Sequence, residues 1–399
     1  VECARAAFAC LRAVKGPIQP SQTDFQVETG MSALVGKLLT LGLHEQAIKE
    51  LRAIKRRFDT AGSTDAAKAT KTETNVAELL DFKTPVPPHS LPTITACQVQ
   101  VLKLVAATKK PAHIEALLPL LKESNPSSPF NFLTTLAKEG GKEAAKSARQ
   151  MANISQLILS LAPSVSSQED TAAMEARLSP SPLAAFELQS IAFASQLKWW
   201  KLAGHKGDID NDILSPFSRC VRAVARRSTS DDSLVYKTIT SYFEVIIKLA
   251  KSHGHKPSSA PTSPIVAIKQ VLGTAAHTAK RYNDACELFS EMKTQLEEAG
   301  DSSVRYASVC ARYLASALKN KTNHCDVEKL TSTVIEGLDG SLSGTAQELN
   351  ELLDGLALAR RSVVGELMNI MEAKTTQPES EKLPEMLKSF ILRYPRFVR

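Results

Sequence analysis

Apolar residues recur every three or four positions almost throughout the chain, as in Met151, Ile154, Ile158 and Leu161 and again in Tyr242, Ile246 and Leu249. That is the period of helices with one buried face, not the alternation of half-buried strands. Breaks rich in Pro, Ser and Gly interrupt the pattern and predict about sixteen helical segments. They lie near 2–15, 27–40, 44–58, 95–108, 111–123, 130–138, 142–162, 183–203, 213–227, 231–252, 263–280, 283–299, 302–319, 326–338, 345–373 and 381–394. Ser215-Pro216 reads as a cap and first-turn proline ahead of Phe217, Asn283 as a helix opening, and Gly140-Gly141 as a stop. Short turns between neighbours predict antiparallel hairpins. Longer breaks at Asp59 to Pro92, Pro163 to Pro182, Ser252 to Pro264 and Ala373 to Pro384 read as mobile loops.

The expected organisation is therefore N-terminal hairpins over 1–58, an insertion over 59–94, a central array over 95–252, a loop over 253–264 and a C-terminal array over 265–399. Two hairpins share one internal spacing. Leu34, Gly42, Ala47, Leu51 and Ile54 recur at the same offsets as Leu272, Lys280, Ala285, Phe289 and Met292, and the second copy, at 265–299, adds Gly273 and Tyr282. This spacing resembles the tetratricopeptide repeat, in which small residues let two helices approach and large ones plug the contact. Gly42 would end the first helix, and Ala47 or Ala285 would sit at the close crossing. No third copy carries those offsets, so the expected fold is all-α: an irregular helical-repeat superhelix, akin to tetratricopeptide and HEAT arrays, of antiparallel hairpins with long loop insertions. Stacked hairpins of that kind leave a long groove that suits an extended peptide.

Composition agrees. Aromatic residues make up only 5%, so strand-forming runs are scarce and a helical reading is favoured. The seven cysteines, Cys3, Cys10, Cys97, Cys220, Cys286, Cys310 and Cys325, are odd in number and widely spaced, which points to a reducing compartment rather than a disulfide framework. No stretch reads as a membrane span or a leader. The chain opens on Val1 and ends just after an apolar run, so it reads as a piece of a longer protein. A net charge of +7 allows an acidic partner without demanding one.

Candidate chemistry is sparse. Lys49, Arg52, Lys55, Arg56 and Arg57 form a basic cluster in which Lys49, Arg52 and Arg56 share a helix face, offering salt-sensitive attraction to an acidic segment. Glu45 and Glu50 offset it in part. No aromatic residues interleave to stack on bases, so nucleic acid is not the expected partner. Trp199 and Trp200, flanked by Lys198 and Lys201, point about 100° apart on a helix, so one ring can be core and the other a contact anchor. Ser179, Ser181 and Ser263 precede prolines in expected loops and are candidate phosphorylation sites; Ser128-Pro129 and Ser215-Pro216 share the pattern. His253-Gly254-His255 and His324-Cys325 lack the spacing of a metal site or a nucleophile–base pair. Neither Gly140-Gly141 nor 337–344 fits a phosphate loop. No metal or cofactor is expected.

The stretches Ala4 to Arg12, Glu28 to Leu38 and Gly42 to Arg57 resemble the amino-terminal region of fungal separases. Separase is the cysteine endopeptidase that opens cohesin at anaphase, and its amino-terminal helical region is non-catalytic. The resemblance implies a regulatory scaffold that, with the parent protease domain, engages securin, in nucleus and cytoplasm. The family's protease motifs have no counterpart in this sequence, so no activity is carried over to the chain. Two other readings compete: an adaptor of the tetratricopeptide type unrelated to proteolysis, and an all-α enzyme with an unrecognised site.

Overall fold

The computed structural model describes residues 2–13, 26–61, 75–82, 85–86, 90–161, 181–228, 230–256, 260, 262–320 and 325–358. The fold is all-α, an irregular repeat of helix hairpins, and every regular element among the described residues is helical. The helices are α1 (Glu2–Ala13), α2 (Gln26–Thr40), α3 (His44–Ala61), α4 (Leu91–Thr108), α5 (Pro111–Leu121), α6 (Pro129–Ala137), α7 (Gly141–Leu161), α8 (Pro182–Ala203), α9 (Ser215–Arg227), α10 (Asp232–Ser252), α11 (Pro264–Thr278), α12 (Tyr282–Glu298), α13 (Val304–Lys319) and α14 (Val327–Asp339). A further helix, α15, covers 346–358. The helix expected at 381–394 and the break at 373–384 lie outside the described residues, as do the end of the segment expected at 345–373 and most of the break at 163–182.

The chain divides into two compact units, Val1–Asp208 with Glu244–Gly254, and Ile209–Phe243 with His255–Arg399. In the first, α2 and α3 form a hairpin and both pack on α4, which also meets α6 and α7; α7 packs along α8. By length and composition α4 could cross a membrane. It behaves instead as a core helix, with Ile94, Leu102, Leu104 and Val105 at 0% exposure. It begins at Leu91, earlier than its periodicity suggests, because Pro92 falls in the first turn, where a missing N–H costs nothing.

Within the 59–94 insertion, a 3-10 turn over Val76–Leu80 is packed against α4 and α5 and buries Val76, Ala77, Leu79 and Leu80. Its anchor is Gln98 of α4, fully buried, whose side-chain amide donates to the Leu80 carbonyl (2.9 Å) and the Ser127 carbonyl (2.8 Å). One buried amide thus satisfies two carbonyls that would otherwise be stranded away from water.

In the second unit α9 packs on α11, α11 pairs with α12, and α12, α13 and α14 follow in sequence, each on its predecessor. Every residue of α13 from Tyr306 to Ala317 is buried. Such a helix must be covered on all sides. Its small residues, among them Ala307, Ser308, Ala311 and Ala315, let those neighbours come close. Two polar clamps fasten it. Glu297 of α12 accepts from Tyr306 (2.7 Å) and Lys293 (2.9 Å), and Arg305 pairs with Glu348 of α15 (2.5 Å). Glu348 also accepts from the Thr345 N–H (2.9 Å) while the Thr345 hydroxyl accepts from the Glu348 N–H (3.2 Å), a reciprocal cap that starts α15.

Ser215-Pro216 does not start a helix. The chain is already helical at Ile209, and a π turn over Asp210–Leu214 runs directly into α9, with the Ser215 N–H donating to the Asp210 carbonyl. The wider turn is where a proline, which has no N–H to give, can enter a continuous helix.

Candidate interaction surfaces

The two matched hairpins close on the same turn. In the first, Leu41 N–H donates to the Lys37 carbonyl (3.1 Å), Gly42 to Leu39 (3.0 Å) and Leu43 to Leu38 (2.9 Å). In the second, Ala279 donates to Ala275 (2.9 Å), Lys280 to His277 (2.9 Å) and Arg281 to Ala276 (2.8 Å). Gly42 (φ 71°) and Lys280 (φ 61°) hold the left-handed position that lets the chain reverse. Ala47 and Ala285, both at 0% exposure, then sit on the buried faces of α3 and α12 with Leu51 and Phe289 one turn on, and Leu272 and Gly273 are buried on α11. Leu34 is only half-buried; its neighbours Met31, Val35 and Leu38 fill the core side of α2.

The basic cluster on α3 is not one open face. Lys49 and Arg56 are exposed, Arg52 and Lys55 half-buried. Lys55 pairs with Asp59 (2.6 Å) and lies over the Phe82 ring (5.6 Å). Arg57 turns toward α2, where its Nε meets the buried Glu28 carboxylate at 2.8 Å. Glu50 points inward and accepts from the Gln46 amide (2.7 Å), so it does not neutralise the outer surface. Of the cluster, Lys49 and Arg56 are the exposed members.

At the end of α8 the tryptophans part as their helical angle requires. Trp200 is buried and Trp199 half-buried, and the His205 ring lies against both, at centroid distances of 5.3 and 5.5 Å. The turn that brings His205 back is fixed by its N–H donating to the Trp200 carbonyl (2.9 Å) across Gly204. Lys201, Leu202 and Lys206 are exposed beside the pair, and Lys198 pairs with Glu123. Trp199 is thus the more exposed ring of the pair.

Three Ser-Pro dipeptides, at Ser128, Ser181 and Ser263, precede helices. Ser181 caps α8, its hydroxyl accepting from the Ala184 N–H (3.2 Å), and Ser263 caps α11 through the Ile265 N–H (3.4 Å). Ser181 is exposed, whereas Ser263 is 5% exposed and its hydroxyl faces the protein. Ser128 precedes α6, fully buried, and donates to the Leu121 carbonyl (3.1 Å). Ser179 lies outside the described residues.

Among the described residues no three potential metal ligands cluster. His253 bonds to the Leu197 carbonyl (2.7 Å) and His255 to Asp210 (3.1 Å). Burial raises the Cys97 and Cys310 thiols to about 12 and the Cys220 thiol to about 11, which holds them protonated and poorly nucleophilic. Their surroundings are those of packed core residues.

No protein-family model matches the sequence. Over 421 aligned positions the chain is 27% identical to Separin of Emericella nidulans, an alignment that takes in the whole of this chain and 20% of that protein. The chain therefore spans about a fifth of the length of the curated relative it matches. The likeness read at residues 4–57 runs the full length of this chain, which is similar throughout to part of a separin.

Proposed function

We propose that this chain is a non-catalytic interaction and regulatory scaffold of a separase-like cysteine endopeptidase, whose catalytic domain lies outside it. In this reading its hairpins hold an extended, securin-like inhibitor, position a cohesin subunit for cleavage, and dock on the parent protease domain, in nucleus and cytoplasm. The observation that carries the reading is the full-length likeness to a fifth of a separin. The helix hairpins within each described unit support it, because arrays of that kind expose surfaces on which an extended chain can lie.

The test is direct. The purified chain, mixed with a securin-like inhibitor from the same cells, should co-elute with it on size exclusion. Separate elution in both low and physiological salt would sink the proposal. An adaptor of the tetratricopeptide type is the second reading, favoured by the matched turns at Gly42 and Lys280. It is distinguished by stable recovery of a multi-subunit assembly that contains no protease.

A further inference from the structure

Helix α9 carries Arg219, Arg222, Arg226 and Arg227 and no acidic residue. Phe217, Cys220, Val221 and Val224 are buried on its other side, where it packs on α11. Positions 219, 222, 226 and 227 fall on one face by the helical period, with Ala223 among them as a low floor. Arg219, Arg226 and Arg227 are exposed and Arg222 half-buried. Three other arginines of the fold are paired with carboxylates: Arg57 with Glu28, Arg281 with Asp284, Arg305 with Glu348. Among the described residues the four on α9 form no such pair. Of the carboxylates nearest in sequence, Asp210 meets His255, Asp212 lies in the π turn before α9, Asp231 accepts from the Ser233 N–H (2.6 Å) at the start of α10, and Asp232 opens that helix.

Arginines gathered without counter-charges repel one another and each offers a planar, bidentate donor fork. A partner supplying carboxylates relieves the repulsion and satisfies the forks. From Arg219 to Arg226 the helix rises about 10 Å. An extended peptide advances about 3.3 Å per residue and places every second side chain on one face, about 6–7 Å apart. Carboxylates at alternate positions therefore fall over successive arginines. The strip is one helix wide and has no aromatic residue on its exposed face, which favours an extended acidic segment over a nucleic acid, where stacking platforms and broad basic surfaces are the rule.

We infer that the arginine face of α9 is a docking surface for an extended peptide with acidic residues at alternate positions. This rests on the scaffold reading and adds where on the chain an acidic partner segment lies. The sequence carries the signal in arginines at i, i+3 and i+7 with no acid among them.

The experiment measures anisotropy of a short labelled peptide of alternating Asp and Ser, with an Asn-Ser peptide as control, on the whole chain. Arg219→Glu/Arg222→Glu/Arg226→Glu should weaken binding about tenfold or more, and raised salt should weaken the unaltered chain likewise. Circular dichroism and urea unfolding check that the variant is folded. Lys49→Glu/Arg56→Glu on α3 should leave binding within about twofold. The inference is overturned if the α9 variant binds as the unaltered chain does, if the unaltered chain ignores the Asp-Ser peptide, or if a short DNA duplex binds the same face more tightly. Should the α9 variant still co-elute with the securin-like inhibitor, the docking surface is wrong and the scaffold reading stands; should the unaltered chain fail to co-elute, the scaffold reading falls.

Discussion

Gly273 lies so close to Phe289 that a Cβ at position 273 would sit 2.7 Å from both Cε1 and Cζ of the ring. The backbone of α11 thus rests on the rim of an aromatic side chain from α12. In the other matched hairpin the equivalent pair is Val35 and Leu51, both buried. One hairpin sets a ring against bare backbone where the other has buried aliphatic side chains at the equivalent positions.

Gly273→Ala should therefore destabilise the chain by about 1–3 kcal/mol through overpacking. Combining it with Phe289→Leu should recover part of the loss, because the smaller side chain vacates the space the methyl needs. Urea unfolding of the two single variants and the double variant measures the coupling. Strict additivity would show that the two residues do not share a crossing.

At the turns, Lys280→Gly should raise stability by about 0.5–1 kcal/mol, since φ 61° strains a side chain that glycine lacks. Gly42→Ala should lower it by about 1 kcal/mol for the same reason reversed. Thermal unfolding of both variants checks the pair of signs.

His277 gives the fold an acid-sensitive seam. Burial lowers its pKa below the ordinary 6.5, Lys319 lowers it further, and a hydrogen bond to the Leu358 backbone opposes them. Its Nδ1 lies 3.0 Å from the Ser316 hydroxyl and its ring edges against Tyr282. A base whose folded pKa is depressed binds fewer protons folded than unfolded, so its contribution is present above pH 6.5 and is lost as pH falls from there through the lowered folded value. Stability measured down to pH 5 should decline, and His277→Gln should flatten that part of the profile. An unchanged slope would assign the decline to other groups.

Thiol labelling should sort the cysteines by burial. Cys3 and Cys10 are exposed and should react with a disulfide reagent in the native chain. Cys97, Cys220, Cys286 and Cys310 are buried and should react only on unfolding, with Cys325 between the two groups. Mass mapping of labelled peptides reads the order.

Much of the architecture was legible because helix periodicity and turn residues act locally. Ranges such as 44–58 and 283–299 differ from α3 and α12 by a few residues, and Gly42 announced its turn. What sequence concealed was set by distant neighbours. Lys280 takes a glycine conformation that its type does not advertise. Val76 to Leu80 looked like part of a loop because five residues cannot display a period, and only Gln98 and α4 reveal why they are ordered. Ser215-Pro216 resembled a start because the π turn before it leaves no signature in residue type. On the candidate surfaces, Arg57 and Lys55 looked available until Glu28 and Asp59 were placed beside them.

That π turn sets the angular phase of everything after it. A helix turns about 100° per residue, so the extra residue accommodated between Asp210 and Leu214 decides which side of α9 meets α11. Deleting one position there, Asn211 for instance, would roll Phe217 and Val221 away from the core and carry the arginines toward it. The same single-residue indel that breaks the core would therefore erase the charged strip, so packing and surface chemistry in α9 are inherited as one trait.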